Sequence, residues 1–345
     1  MRNRAMLRFV ASLSLCPSDI RKIRRMLLGS GISVHPLQNV LVTPHFVSDE
    51  TLTLVRELKD SGATVYFDSG GYYVQVGRMT YEELYYPLLQ HYLANPWADV
   101  YTLPDYVPTT QDTEEEVWYK VRQTVDFSSM FLDELPLSLQ EKAMPVVHGH
   151  TLAQVEYCLE RYISLGVRHI GFGSFGTAGK NNEANVMTQN AQAFAHHVVQ
   201  LAQGAGMHVH LFGVGAPALV AMIYGTGAHS FDSSSWLKSA GYGQIHLPFT
   251  RGYNISHRNS QSELQRGITI EEFEHLKKLT GHSCPYCESI EKLQTVKMVR
   301  ALHNLICIAE SVEMINRGEY ERIRTIYVNG SPKYRKEFEQ WLLPC

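Results

Sequence analysis

The amino-acid sequence lacks several features that would assign it to a class at once. No apolar run approaches the roughly 20 residues that a membrane-spanning helix needs, so we expect no membrane segment. The 345 residues include only six cysteines, unevenly spread, which argues against a disulfide scaffold and favours a cytoplasmic location. The basic start of the chain is not followed by a convincing signal-peptide cleavage site, and we interpret it as leading into a first strand.

A large excess of one charge is also missing. The 31 Lys and Arg against 34 Asp and Glu give a formal net charge of −3, so the global charge does not point to a nucleic-acid partner. No glycine run has the spacing of a dinucleotide or Walker loop. The sequence also lacks the strand-end lysine and the divalent-metal carboxylate cluster that an unrelated barrel lyase or aldolase would carry.

Alternation of strand and helix is the strongest structural pattern that is present. Eight short runs have the length and composition of β-strands, and most are separated by segments long enough for a helix. The runs are 6–11, 40–42, 65–67, 100–103, 146–148, 170–173, 209–213 and 229–232, and helix-like segments include 50–60, 81–94, 152–165, 190–204 and 216–225. Eight such units predict an α/β fold of the (β/α)8 or TIM-barrel type over residues 1–262. Residues 263–345 change in character, with polar helices and a Cys-containing turn, and predict a helical appendage packed on the barrel.

Polar residues follow several of these strands. The run ending at Phe67 leads directly into Asp68-Ser69-Gly70-Gly71-Tyr72, and Asp105, His148 and Asp232 follow or end other runs. A single acid at such a position is commonly only a turn or cap residue. Because active sites of barrels assemble at the carboxyl ends of the strands, the recurrence favours a site in which one carboxylate is a base and another a nucleophile or stabiliser.

Five motifs, in this order, resemble those of the tRNA-guanine transglycosylase superfamily. They are Asp68-Ser-Gly-Gly-Tyr72, Val147-His-Gly149, Gly171-Phe-Gly173, Phe212-Gly-Val-Gly215 and Phe231-Asp232-Ser233. The likeness spans roughly residues 39–310. Enzymes of this family exchange a guanine in a polynucleotide for a 7-deazaguanine base, on a barrel with an inserted zinc subdomain.

The resemblance implies a role for each matching residue. Asp232 would be the nucleophile that attacks C1′ of the sugar, and Asp68 the general base that deprotonates the incoming base. Asp105 would bind the Watson–Crick edge of the purine, while Tyr72 and Phe212 would stack on the two faces of its ring. Without the motifs, we would interpret these two aromatic side chains as core packing at the mouth of the barrel. The remaining pocket residues would be Ser69, Gly70, His148, Gly171, Gly173 and Gly213.

A second constellation lies near the C-terminus, where Cys284 and Cys287 form a Cys-x-x-Cys pair flanked by His282 and His303. This spacing is typical of tetrahedral zinc, and a redox pair or two buried thiols are the alternatives. The family carries Cys-x-Cys-x-x-Cys with a downstream His, so His282 stands where the first Cys would be, and the segment before His303 is shorter than usual. We expect one structural zinc held by these four residues, because four protein ligands leave no open position.

Departures from the family pattern bear on the polymer. Tyr73 stands where tRNA enzymes usually carry Gln, and the sequence after Asp232 lacks their Pro-Thr-Arg segment. The chain as printed also has no room for the tRNA-binding domains that archaeal enzymes append. It is therefore similar to the branch that inserts 7-deazaguanine into DNA, and we expect DNA in preference to tRNA. A tRNA enzyme and a non-catalytic paralogous subunit remain as alternatives, and a homodimer is compatible with the resemblance.

Overall fold

The computed structural model describes residues 5–173, 189–256 and 267–331, together with Arg335 and Glu339. Its strands are β1 (Arg8–Ser12), β2 (Asn39–Val42), β3 (Thr64–Phe67), β4 (Val100–Thr102), β5 (Ala143–Met144), β6 (Val146–Val147), β7 (His169–Phe172), β8 (His208–Leu211), β9 (Ser230–Ser233), β10 (Gln244–Ile245) and β11 (Tyr253–Asn254).

Nine parallel strands form one nearly closed, barrel-like sheet in the order β5-β4-β3-β2-β1-β9-β8-β7-β6. The strands at the two ends of this order, β5 and β6, are separated in the chain only by Pro145. The Pro145 carbonyl accepts a hydrogen bond from the Gly171 amide at 2.9 Å, which extends the pairing of β6 with β7 by one residue. The predicted parallel α/β arrangement is confirmed, and the sheet is compatible with a TIM-like barrel.

One predicted strand differs from the structure. The run predicted at 146–148 forms β6, which pairs with β7, but it is preceded by a short strand that was not predicted, β5, which pairs with β4. Proline has no N–H to donate, so Pro145 interrupts the ladder at the point where the chain passes from one neighbouring strand to the other. His148 consequently lies just beyond β6, on the loop that follows it.

Helices follow most of the strands and pack outside them. They are α1 (Pro17–Leu28), α2 (Asp49–Asp60), α3 (Gly71–Gln75), α4 (Tyr81–Ala94), α5 (Glu114–Glu134), α6 (Leu137–Gln140), α7 (Leu152–Ser164), α8 (Gln189–Gly204), α9 (Val220–Thr226), α10 (Ser235–Gly241), α11 (Ile270–Thr280), α12 (Ile290–Thr295), α13 (Lys297–Asn316) and α14 (Tyr320–Gly330). Short 3-10 turns cover Pro44–Phe46 and Pro217–Leu219. Four helices begin with a capping box, in which a Thr and the residue three positions later satisfy each other's backbone amides.

The interior of the sheet holds a small apolar cluster of its own. Val10, Leu41, Tyr66, Val100 and Met144, one from each of five strands, pack together, with Phe212 against them. Neighbours such as Phe9 and Ala11 belong to the larger cluster shared with the helices. Val10 and Asp232 are register partners and so point to the same face, which places Asp232 on the interior side.

The C-terminal helices are packed on the barrel. Helix α13 lies against α10, α9 and β1, and the Asn316 amide exchanges two hydrogen bonds with the backbone of Leu7. Residues from these helices join the large hydrophobic cluster of the barrel. The predicted boundary between 262 and 263 lies outside the described residues. Within the part of the chain that the structure describes, no helix is long and apolar enough to cross a membrane.

Candidate active site and metal centre

Three aspartates converge at the carboxyl ends of the strands. Asp68 directly follows β3, Asp105 lies just after β4, and Asp232 lies in β9. Asp105 and Asp232 are 6% and 7% exposed, and Asp68 is partly buried. Burial, followed by the charges of Asp105 and Asp232, raises the pKa of Asp68 to about 7. Asp68 therefore holds a proton for a large fraction of the time at neutral pH, while it faces two further carboxyl groups.

Hydroxyl groups from the two strands between Asp68 and Asp232 hold these carboxylates. Ser12 Oγ at the end of β1 donates to Asp232 Oδ2 at 3.1 Å, and Thr43 Oγ1 just after β2 donates to Asp68 Oδ2 at 3.0 Å. The Gly213 amide donates to Asp232 Oδ1 at 2.7 Å. Each acid is thus fixed in orientation. Nothing in the sequence distinguished Ser12 or Thr43 from other hydroxyl residues near strand ends, so neither was predicted as a site residue.

Asp105 is held on both of its oxygens. Ser69 Oγ donates to Oδ1 at 2.6 Å, and His148 Nε2 lies 2.8 Å from Oδ2. Because the serine hydroxyl bonds the carboxylate and not the imidazole, the three residues do not form the arrangement of a serine hydrolase. They instead present an oriented acid in the mouth of the barrel, next to the glycines of the first motif.

Two glycines allow side chains to approach the backbone closely. A Cβ added at Gly71 would lie 2.8 Å from both Asp105 Cγ and the Asp105 carbonyl oxygen, and one at Gly171 would overlap the Phe212 ring. Gly70 and Gly213 adopt φ of +81° and +65°, which L side chains rarely tolerate. Gly173 lies within ordinary contact distance of His148 and Phe212. Gly71, Gly171 and Gly173 therefore border the barrel mouth, and Gly213 joins them through the hydrogen bond from its amide to Asp232.

The two predicted stacking rings differ in their surroundings. Tyr72, on α3, is 47% exposed and contacts the ring of Tyr73. Phe212 lies over Gly171 and packs edge-on against His210, with 4.7 Å between ring centroids. Among the described residues, the rings of Tyr72 and Phe212 do not contact each other, so they do not fill the space between them.

His210 is a residue of this region that the sequence reasoning missed. It is buried on β8, with Nδ1 at 2.8 Å from Ser230 Oγ and Nε2 at 3.5 Å from Asp232 Oδ1. The alternation in His208-Val209-His210-Leu211 was the available signal, because it places both histidines on one face of the strand, with His210 nearer the carboxyl end.

Neither a protein-family model nor a curated protein matches this chain. The likeness to transglycosylases therefore rests on the motifs alone. A function has to be argued from the geometry of the barrel mouth and of the metal centre.

The metal centre gathers all four predicted ligands. His282, Cys284, Cys287 and His303 are buried, and their ligand atoms lie within 4.8 Å of one another. His282 Nε2 lies 3.2 Å from Cys284 Sγ and 3.3 Å from His303 Nδ1, and Cys284 Sγ lies 3.4 Å from His303 Nδ1. These separations are close to the edges, about 3.3–3.8 Å, of a tetrahedron around an ion with 2.0–2.3 Å bonds. The cluster could hold a metal ion.

Outer groups orient both imidazoles of this cluster. His282 Nδ1 lies 2.5 Å from Glu310 Oε2, and His303 Nε2 lies 2.8 Å from the His246 carbonyl oxygen. An acceptor on the far nitrogen fixes each ring so that its other nitrogen is free to bind a metal. The hydrogen bond with Cys284, together with the two imidazoles, lowers the pKa of Cys287, which favours the thiolate that metal binding requires.

Proposed function

We propose that this protein is a guanine transglycosylase on a (β/α)8 barrel, which exchanges guanine in DNA for a 7-deazaguanine base through a covalent aspartyl–sugar intermediate. The observation that carries the proposal is the pair of unequal carboxyl groups, Asp68 and Asp232, in one barrel mouth. Asp68 has a pKa raised to about 7, and Asp232, on the interior face of β9, is fixed by hydrogen bonds from Ser12 and Gly213. Such a pair suits a proton carrier and a nucleophile, respectively.

The chemistry divides into two half-reactions. First, a carboxylate oxygen of Asp232 bonds to C1′ while the bond from C1′ to N9 of guanine breaks, and protonated Asp68 gives its proton to the departing base. Asp68 then takes a proton from N9 of the incoming base, N9 attacks C1′, and the electron pair of the ester bond returns to Asp232. This is the logic of a retaining glycosidase, with a base in place of water.

Recognition of the base would use the groups around Asp105. A purine edge offers adjacent N–H donors, and Asp105, already oriented by Ser69 and His148, can accept them. The ring would stack between Tyr72 and Phe212, a contribution of about 1–3 kcal/mol per base. The exposure of Tyr72 and the open space beside Gly213, where an added Cβ would meet nothing within 4 Å, support entry of a flat ligand.

We also assign zinc as the ion of the metal centre. Two thiolates and two imidazoles are ligands that zinc prefers, and the spacing of the four atoms fits its tetrahedral geometry. When bound, the ion would cross-link the turn at Cys284 and Cys287 to helix α13, which packs on the barrel. Its role would be structural.

The polymer must present an unstacked base, because C1′ and the purine edge both have to enter the barrel mouth. Extrusion from a duplex costs a few kcal/mol and costs less where the base is unpaired. Arg21 and Arg24, two residues of a basic cluster on α1, are paired with Glu50 and Glu57, so they are not free phosphate ligands. With a net charge of −3, binding would depend on a few local cations, and activity would fall steeply with salt.

The test is to incubate zinc-replete protein with labelled guanine and one of three polymers: duplex DNA, the same DNA with an unpaired bubble, or bulk tRNA. We expect label in DNA, more in the bubble than in the perfect duplex, and none with Asp232→Asn. Labelling of tRNA alone would show that the DNA assignment is wrong and that the protein is a tRNA enzyme. No label in any polymer would overturn the proposed activity and favour a non-catalytic subunit.

A further inference from the structure

His210 is a buried histidine beside the proposed nucleophile, and one of its ring nitrogens has no hydrogen-bond partner among the described residues. The side chain is 2% exposed and lies between the rings of Tyr66 and Phe212, at 5.4 Å and 4.7 Å between centroids. Nε2 is buried and has no hydrogen-bond partner among the described residues. It faces Asp232 Oδ1 at 3.5 Å, a distance slightly too long for a good hydrogen bond.

The surroundings select one tautomer of the ring. A neutral imidazole carries a single N–H, and if it were on Nδ1, the lone pair of Nε2 would face a carboxylate. Ser230 Oγ, 2.8 Å from Nδ1, can donate its proton there and leave the N–H on Nε2.

We propose that His210 is a positioning residue for Asp232, whose Nε2–H stabilises the carboxylate as the sugar leaves it. The inference rests on the proposed function, since it requires the covalent ester. While Asp232 is bonded to C1′, it carries no charge, and the Nε2–H has little to bind. When N9 of the incoming base attacks C1′, the electron pair of the ester bond returns to the carboxylate, and a shift of a few tenths of an ångström brings Nε2–H within bonding distance.

The two half-reactions should therefore respond differently to the loss of this donor. Without it, Asp232 is more basic, which makes the carboxylate a better nucleophile but a poorer leaving group. Formation of the ester should not slow, whereas its discharge by an incoming base should. A residue that only fills space would affect both steps alike or mainly lower the stability of the fold.

The experiment compares wild-type protein with His210→Phe and His210→Gln on the bubbled DNA. It measures the denaturant-stable enzyme–DNA adduct and the rate at which added guanine discharges it. We expect His210→Phe to accumulate adduct and to discharge it about tenfold more slowly or worse, as is typical for loss of a hydrogen bond to a charged group. His210→Gln, which keeps an N–H near the position of Nε2, should discharge the adduct within about threefold of the wild-type rate.

Zinc content and thermal unfolding identify variants that fail to fold, and Ser230→Ala then replaces His210→Phe. It keeps the ring but removes the donor to Nδ1, so discharge should slow by a smaller factor. The inference would be overturned if a folded His210→Phe variant discharged the adduct at the wild-type rate. It would also be overturned if the Phe and Gln variants discharged the adduct equally slowly without accumulating more of it. Neither result would contradict the proposed transglycosylase activity. Absence of adduct in wild-type protein on DNA and on tRNA would instead overturn the proposed function.

Discussion

The barrel mouth and the metal centre both crowd ionisable groups together, but with opposite consequences. At the mouth, Asp105 and Asp232 add to burial in raising the pKa of Asp68, so the native state holds acids that oppose one another's ionisation. At the metal centre, two thiols and two imidazoles are arranged so that a single cation would satisfy all four. The first arrangement costs stability, and the second becomes favourable when an ion is bound.

This difference separates a candidate for chemistry from a candidate for structure. Perturbed acids in a cleft are characteristic of catalytic sites, because folding alone gives no reason to place like charges together. A closed set of four ligands contributes folding energy and leaves no open position for a substrate. Changes at the metal centre should therefore act on folding, whereas changes at the barrel mouth should act on base exchange.

The largest effect is expected at the metal centre. Cys284→Ser or removal of zinc by a chelator should unfold the helices around α13, because structural zinc contributes on the order of 10–16 kcal/mol in small zinc fingers. Circular dichroism and elemental analysis measure this, with Cys16→Ser as the control because Cys16 is exposed and lies outside the cluster. Fresh wild-type protein without about one zinc per chain would contradict the prediction.

The next largest effect is expected at Asp232, the proposed nucleophile. Asp232→Asn should lower guanine exchange by about 10⁴-fold or more and eliminate the denaturant-stable adduct, because an amide cannot form the ester. Zinc content should stay at the wild-type level, since Asp232 does not belong to the metal cluster. Asp126→Asn, on the exposed face of α5, is the matched control. Near-normal turnover in Asp232→Asn would remove this residue from the mechanism.

The metal centre was the part of the molecule that the sequence predicted best. Cys284 and Cys287 lie on one turn, and His282 precedes it by two residues, so local spacing already brings three ligands together. His303 could be added because it is close in the chain. Glu310 could not be predicted as the partner of His282, because that contact depends on how α13 packs against the turn.

At the barrel mouth, the sequence identified the acids but not their supports. Asp68 and Asp232 each come directly after an apolar residue, Phe67 or Phe231, and are conspicuous in the sequence. Ser12 and Thr43 are ordinary hydroxyl residues, and their importance comes from the order of the strands in the sheet. Helix α5 was absent from the predicted helices, although the capping box at Thr113 was a readable signal for its start. The split at Pro145 reflects pairing between non-local strands, which periodicity does not report.

A smaller effect is expected from crowding Asp105. Gly71→Ala would push a methyl group against the Asp105 side chain and carbonyl, so exchange should fall roughly tenfold to a hundredfold through misplacement of that acid. The matched control is Gly29→Ala, where a Cβ meets nothing within 4 Å and φ is −90°. Steady-state kinetics on DNA should show the loss for Gly71→Ala alone. Equal activity of the two variants would show that base exchange does not depend on the position of Asp105.

The smallest effect tests the electrostatic cost at the mouth. The folded pKa of Asp68, about 7, lies above its ordinary value of 3.8, so the native state binds this proton more tightly than the unfolded chain does. Stability therefore decreases as pH rises between these values, and above pH 7 the loss is complete. Asp68→Asn has no carboxyl group to ionise, so it should not lose stability in this way. The free energy of unfolding of the variant minus that of wild type should therefore increase by about 1–3 kcal/mol from pH 5 to pH 8. Urea unfolding at pH 5 and pH 8 measures this difference, with Asp126→Asn as the control. A difference that stays constant with pH would show that folding does not raise the pKa of Asp68.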